Sequence, residues 1–141
     1  MIVYFDTSAF VPLLVTEPGT TTANELWAAA DDVVTCRLLY VEAAAALARA
    51  RRINRITDRH HRAALHSLDD LWSDFQVTEL DEVVIRRAAE LADRLALRGY
   101  DAVHCASAER IADADLVVAS GDKDLLAACT ELALATALTG H

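Results

Sequence analysis

The chain has 141 residues and 54% apolar side chains, enough for one domain around one core. Thirteen basic against twenty-two acidic residues leave a net charge of −9, which argues against a generic nucleic-acid coat or an anionic membrane surface. That balance leaves room for a nucleic-acid enzyme, because bound metal offsets acid at a site and basic residues can cluster.

Ile2-Val3-Tyr4-Phe5 is β-branched and aromatic and predicts a short strand. Asp6-Thr7-Ser8 follows with side chains suited to a helix start, and the helix is expected to reach about Val15. Glu17-Pro18-Gly19 reads as a turn, then a helix over 20–30 and a strand at Val33-Val34-Thr35-Cys36. Leu38 to Ala50 has a strong helical pattern. A further helix is capped by Thr57 or Asp58 and runs to about Ser73. Phe75 to Thr78 predicts a strand and Asp81 to about Leu97 a helix. Arg98-Gly99-Tyr100 reads as a break before a helix from Asp101 to about Ala112. A strand at Leu116 to Ala119, a loop to Asp124, a helix to Cys129 and a weak strand near 132–136 complete the chain. Strands alternating with helices imply a parallel sheet covered on both faces, with its crevice at the carboxyl ends of the strands.

Four acids stand at the edges of apolar segments: Asp6, Glu42, Asp101 and Asp122. Asp6 and Asp122 lie just past predicted strands, and Glu42 and Asp101 lie on helices able to reach the same edge. Each has an ordinary reading: Asp6, Asp101, Asp122 and Asp124 as caps or loop residues, and Glu42 as a buried acid paired with Arg49. Together they suggest a shared site. Several carboxylates at low dielectric repel one another and need a cation, and a hard divalent metal with oxygen ligands is the simplest.

The motifs "IVYFDTSAFVPLLVTEPG", "LLYVEAAAALAR", "LRGYDAVHCASA" and "LVVASGDKDLLAA" closely resemble those of PIN-domain nucleases, in particular the VapC toxins of bacterial toxin–antitoxin pairs. The resemblance spans nearly the whole chain, 1–141, as a single PIN domain. It implies a three-layer α/β/α sandwich with a central parallel sheet. It also implies an endoribonuclease dependent on Mg²⁺ or Mn²⁺, acting on structured RNA of the tRNA or rRNA class. Asp6, Glu42, Asp101 and Asp122 take the family's catalytic, metal-binding places, with Asp124 a second candidate beside Asp122. Thr7, Ser8 and Ser120 then orient carboxylates or a metal-bound water. The implied partners are a cognate VapB-like antitoxin, RNA, and a second copy of the chain within the complex. An inactive PIN-like interaction module is the alternative, which the complete quartet opposes. A phosphohydrolase of the haloacid dehalogenase type is another, but it expects a second Asp where Ser8 stands.

Arg49, Arg51, Arg52, Arg55, Arg59 and Arg62 fall within fourteen residues and read as an RNA-binding rim or as a solvated face. His104 is expected to be a packed or hydrogen-bonded helix histidine rather than a general base. Cys36, Cys105 and Cys129 lack C-x-x-C spacing and read as reduced, buried thiols, in keeping with a cytoplasmic location. No basic segment precedes the opening strand, so no signal peptide is expected. The uncharged stretch around residues 8–16 is too short for a membrane span.

Overall fold

Ile2–Phe5 forms the central strand β1, and its alternation divides the protein into two cores. In the computed structural model, which describes residues 1–140, Val3 and Phe5 point to one face of the sheet and Tyr4 to the other. The remaining strands are β2 (Asp32–Cys36), β3 (Gln76–Thr78), β4 (Leu116–Ser120) and β5 (Ala135–Leu138). Their order is β3-β2-β1-β4-β5 and every pairing is parallel. Val3 pairs with Val33 on one side and Val117 on the other, so apolar rows cross the sheet. The chain builds outward from β1 to β3 and then returns to β4. The order therefore reverses beside β1, where such sheets open a crevice.

Helices cover both faces, as a parallel sheet requires. On the Val3 and Phe5 face lie α1 (Thr7–Phe10), α2 (Thr20–Ala29), α3 (Leu39–Arg52) and α4 (Asp58–Trp72). On the Tyr4 face lie α5 (Glu82–Arg94), α6 (Gly99–Arg110) and α7 (Lys123–Glu131). This is the three-layer sandwich the sequence implied. The first layer is held by aromatic edges: Trp27 meets Phe5 at 5.4 Å and Phe75 at 5.2 Å, and Phe10 meets Phe75 at 5.3 Å between ring centres. The second layer uses small residues. Ala102, Cys105, Ala106 and Ala108 of α6 are all buried, which lets this helix lie close to the sheet. No helix among the described residues is long and apolar enough to cross a membrane.

Several boundaries differ from expectation. The first helix stops at Phe10 and tightens into a 3₁₀ turn over Val11–Leu13, because Pro12 has no N–H to continue it. Thr57, not Asp58, caps α4 by accepting from the His60 amide at 3.1 Å. The break expected at Arg98-Gly99-Tyr100 sits earlier, over residues 95–98: α5 ends at Arg94 rather than near Leu97, and Ala96 turns the chain with φ of 54°. Arg98 flanks α6 in an extended conformation and Gly99 begins it, so Asp101 lies in its first turn rather than at its cap. The last strand sits later than 132–136. Leu132 and Ala133 close α7, and Ala133 turns the chain with φ of 61° before β5 begins.

Phe10 is fully buried and central to the aromatic layer. Phe10→Ala should cost about 3–5 kcal/mol, whereas Val83→Ala on an exposed face of α5 should change stability by less than about 0.5 kcal/mol. Urea unfolding of both variants, read as midpoint shifts at unchanged slope, checks this.

Candidate active site

Asp6 is the first residue after β1 and caps α1 with its own side chain. Its Oδ1 accepts from the Ala9 amide at 2.9 Å and the Ser8 hydroxyl at 2.8 Å. Its Oδ2 accepts from the Ser120 hydroxyl at 2.7 Å. Ser120 ends β4, so this bond crosses the reversal point of the sheet. The Gly121 amide donates to Ser8 Oγ at 2.8 Å and the Asp122 amide to Ser120 Oγ at 2.9 Å. Two hydroxyls thus tie the ends of β1 and β4 around one carboxylate. Asp6 is only 4% exposed, and burial pushes its carboxyl above the ordinary range, with His104, Ser120 and the Ala9 amide drawing it back.

Glu42 enters from the first turn of α3. Its Oε1 accepts from the Thr7 hydroxyl at 2.7 Å and lies 2.7 Å from His104 Nε2. His104, on α6, is buried, and its Nδ1 faces the Tyr4 hydroxyl at 2.8 Å and Cys36 Sγ at 3.7 Å. Burial opposes a charge on His104. Its bonds with Cys36 and Glu42 and the nearby Asp6 outweigh that and hold it up at about 10, so the ring is an imidazolium at neutral pH. The expectation of a hydrogen-bonded histidine is met, and its partner is the acid Glu42. The alternative pairing of Glu42 with Arg49 is replaced by these bonds to Thr7 and His104.

Asp101 is 9% exposed and accepts from Arg98 Nε at 3.1 Å. Burial raises its carboxyl, Arg98 opposes the rise and the charge of Asp122 adds to it. Asp122 Oδ1 caps α7 by accepting from the amides of Asp124 at 2.9 Å and Leu125 at 3.3 Å. Its Oδ2 is left facing Arg98 Nη2 at 3.7 Å. The carboxylate of Asp124 is exposed and borders a separate cleft with Arg94 and Ala127, so Asp122 is the member that faces the quartet.

Asp6, Glu42, Asp101 and Asp122 line one cavity of about 500 Å³ together with Thr7, Ser8 and His104. As they stand, no three carboxylates, imidazoles or thiols among the described residues are close enough to ligate one ion. The donors nevertheless suit a hard divalent cation: all four are carboxylates, and Asp122 keeps an oxygen free of its cap. Glu17, Arg98 and Tyr100 also line this cavity, although nothing in the sequence marks them. Arg98 precedes Asp101 by three residues, a helical spacing hidden by the expected break. Glu17 falls in a segment that reads as a plain turn. Of the arginine run, Arg49 and Arg55 border a smaller cleft beside the site that also contains Glu17, and Arg55 Nη2 lies 3.7 Å from Glu17. Arg51 and Arg52 are exposed at the end of α3, where they also complement the helix dipole.

The PIN domain family matches residues 3–130. The chain belongs to the PIN-domain family. Among curated relatives of this PIN domain, ribonuclease VapC45 of Mycobacterium tuberculosis (strain CDC 1551 / Oshkosh) is 44% identical over 124 residues, covering 88% of this chain and 86% of the relative. Among solved structures, M. tuberculosis VapC20, described as a sarcin–ricin loop cleaving toxin, superposes with a TM-score of 0.69 at 22% identity. It covers 89% of this chain and 94% of that one. A toxin–antitoxin complex from Klebsiella pneumoniae gives 0.62 at 17% identity over 86% and 88%. The two structural likenesses show the PIN fold.

The raised titration of His104 makes stability depend on pH. Its contribution is complete below about 6.5, the unperturbed value, and is lost as pH rises toward 10. The stability gap between wild type and His104→Gln should therefore narrow from pH 6.5 to 10, at up to about 1.4 kcal/mol per unit. Urea melts in EDTA across that range check it.

Proposed function

We propose that this PIN domain is a metal-dependent endoribonuclease and the toxin of a toxin–antitoxin pair. The observation that carries this reading is the convergence of Asp6, Glu42, Asp101 and Asp122, from four distant segments, on one cavity at the carboxyl ends of β1 and β4. The 44% identical relative named as a ribonuclease supports the same activity. The Klebsiella neighbour supports an antitoxin as partner. RNA of the tRNA or rRNA class is the proposed substrate, Mg²⁺ or Mn²⁺ the proposed cofactor, the cytoplasm the proposed location and a homodimer the proposed unit within the complex.

The four acids would hold the metal. When bound, a divalent ion there supplies an acidified water and offsets charge on the phosphate and the leaving oxygen. Ser8 and Ser120 fix the Asp6 carboxylate, and Thr7 and His104 fix that of Glu42, so the chain presents its acids in a set orientation. Among the described residues, no side chain is placed as a nucleophile. The hydroxyls of Thr7, Ser8 and Ser120 are engaged with carboxylates, Tyr100 stands exposed at the rim under Arg98, and the Cys36 thiol lies buried behind His104. Arg49, Arg51, Arg52 and Arg55 would bind phosphates beside the cavity. A PIN-like module without activity is disfavoured by the complete quartet.

Asp6→Asn, Glu42→Gln and Asp101→Asn should each abolish RNA cleavage with circular dichroism unchanged, as should excess EDTA with wild type. Cleavage that persists in EDTA rejects a metal mechanism. Ser120→Ala should lower activity by roughly 10–100-fold through its hold on Asp6, while Asp124→Asn stays near wild type. Replacing Arg49, Arg51, Arg52 and Arg55 by Ala should weaken RNA binding at every sequence. The salt slope should fall by about 0.7 for each phosphate of single-stranded RNA left without its arginine. Anisotropy titrations at several salt concentrations measure it, and an unchanged slope returns the run to a solvated face.

A further inference from the structure

Arg98 is the one arginine among the described residues whose guanidinium reaches two of the four site acids. Its Nε donates to Asp101 Oδ2 at 3.1 Å and its Nη2 lies 3.7 Å from Asp122 Oδ2. The guanidinium carbon Cζ lies over the Tyr100 ring, 4.7 Å from its centre. The side chain is 67% exposed, so it closes the cavity from the rim rather than from within. Its backbone flanks the start of α6, only three residues before Asp101. The side chain can therefore swing while the helix stays put.

The oxygens that Arg98 engages are those that would hold a divalent ion. One cation must yield them to the other. Resting on the reading of the quartet as a metal site, we propose that Arg98 is an exchangeable internal counter-ion that releases Asp101 and Asp122 to metal and then binds an RNA phosphate. Tyr100 keeps the released guanidinium stacked at the cavity mouth. Its planar donor edge suits a phosphate, which accepts two parallel N–H bonds. Metal entry thus exposes a phosphate-binding group at the rim of the same cavity.

The test uses ¹⁵N-labelled full-length protein without RNA. The Arg98 Nε–Hε resonance, assigned by its loss in Arg98→Lys, is followed during a Mg²⁺ titration. It should leave its carboxylate-bonded position for that of a free arginine, with the same midpoint as the amides of Asp101 and Asp122. An Arg98 signal that stays fixed while those amides saturate overturns the proposal. Amides that do not respond at all remove the metal reading, and the proposal with it. Calorimetry with Arg98→Ala adds a signature of opposite signs. Mg²⁺ should bind roughly fivefold tighter, because no competitor occupies the acids. The KM for RNA should rise about tenfold, with kcat changed less. An Arg98→Ala protein that binds both metal and RNA more weakly, or both as wild type does, would make Arg98 structural. Arg98→Lys, which keeps charge without the planar edge, should restore metal affinity to the wild-type level and RNA affinity only in part.

Discussion

Asp6 places a negative charge where the ends of two strands and the start of a helix meet, and it is almost wholly withdrawn from water. A carboxylate so buried is tolerable only when several donors converge on it. The donors come from the next turn (Ser8 and the Ala9 amide) and from the far side of the chain (Ser120). Meeting that demand fixes the register of β1 against β4, because Ser120 can reach Asp6 only if β4 ends beside it. The charge also helps to hold a neighbouring imidazole in its protonated form. One residue therefore links the topology of the sheet to the chemistry of its edge.

The acids do not stand uncompensated. Glu42 has His104, Asp101 and Asp122 share Arg98, and Glu17 at the margin has Arg55. Repulsion among buried carboxylates would otherwise reach several kcal/mol per close pair. Sequence alone points to a bound ion as the whole of this compensation. In the folded protein the chain supplies part of it, which lets the fold form around its acids before any ion arrives. Tyr4 and Cys36 extend the arrangement inward by enclosing the far side of His104, so the compensating charge is itself held by the core.

Much of the architecture is legible in the sequence. The alternation of short β-branched runs with alanine- and leucine-rich helices specifies a covered parallel sheet, and five strands stand close to where that pattern puts them. The acids are legible because each interrupts or follows an apolar run. What stays hidden is set by the backbone at element ends. The 3₁₀ turn at Pro12, the left-handed turn at Ala133 and the early start of α6 depend on local closure that composition does not encode. The last of these hides Arg98. Glu17 is obscure for a different reason: its place comes from the proximity of the 14–18 segment to α3, a tertiary fact with no periodicity to announce it.

β1 and β4 are neighbours in the sheet yet more than a hundred positions apart in the chain. During synthesis, β1, α1 and Glu42 leave the ribosome long before Asp101, and Ser120 and Asp122 come later still. Pairings of this range are the slow part of folding, since loop closure precedes any reward from packing. The emerging chain therefore carries Asp6 without Ser120 and Glu42 without His104, and the cavity has no wall on its β4 side. A site assembled from such distant segments stays incomplete for most of its own translation. The site proposed to cut RNA is thus made in an incomplete form beside the RNA that encodes it, and its last acid arrives only when Asp122 emerges.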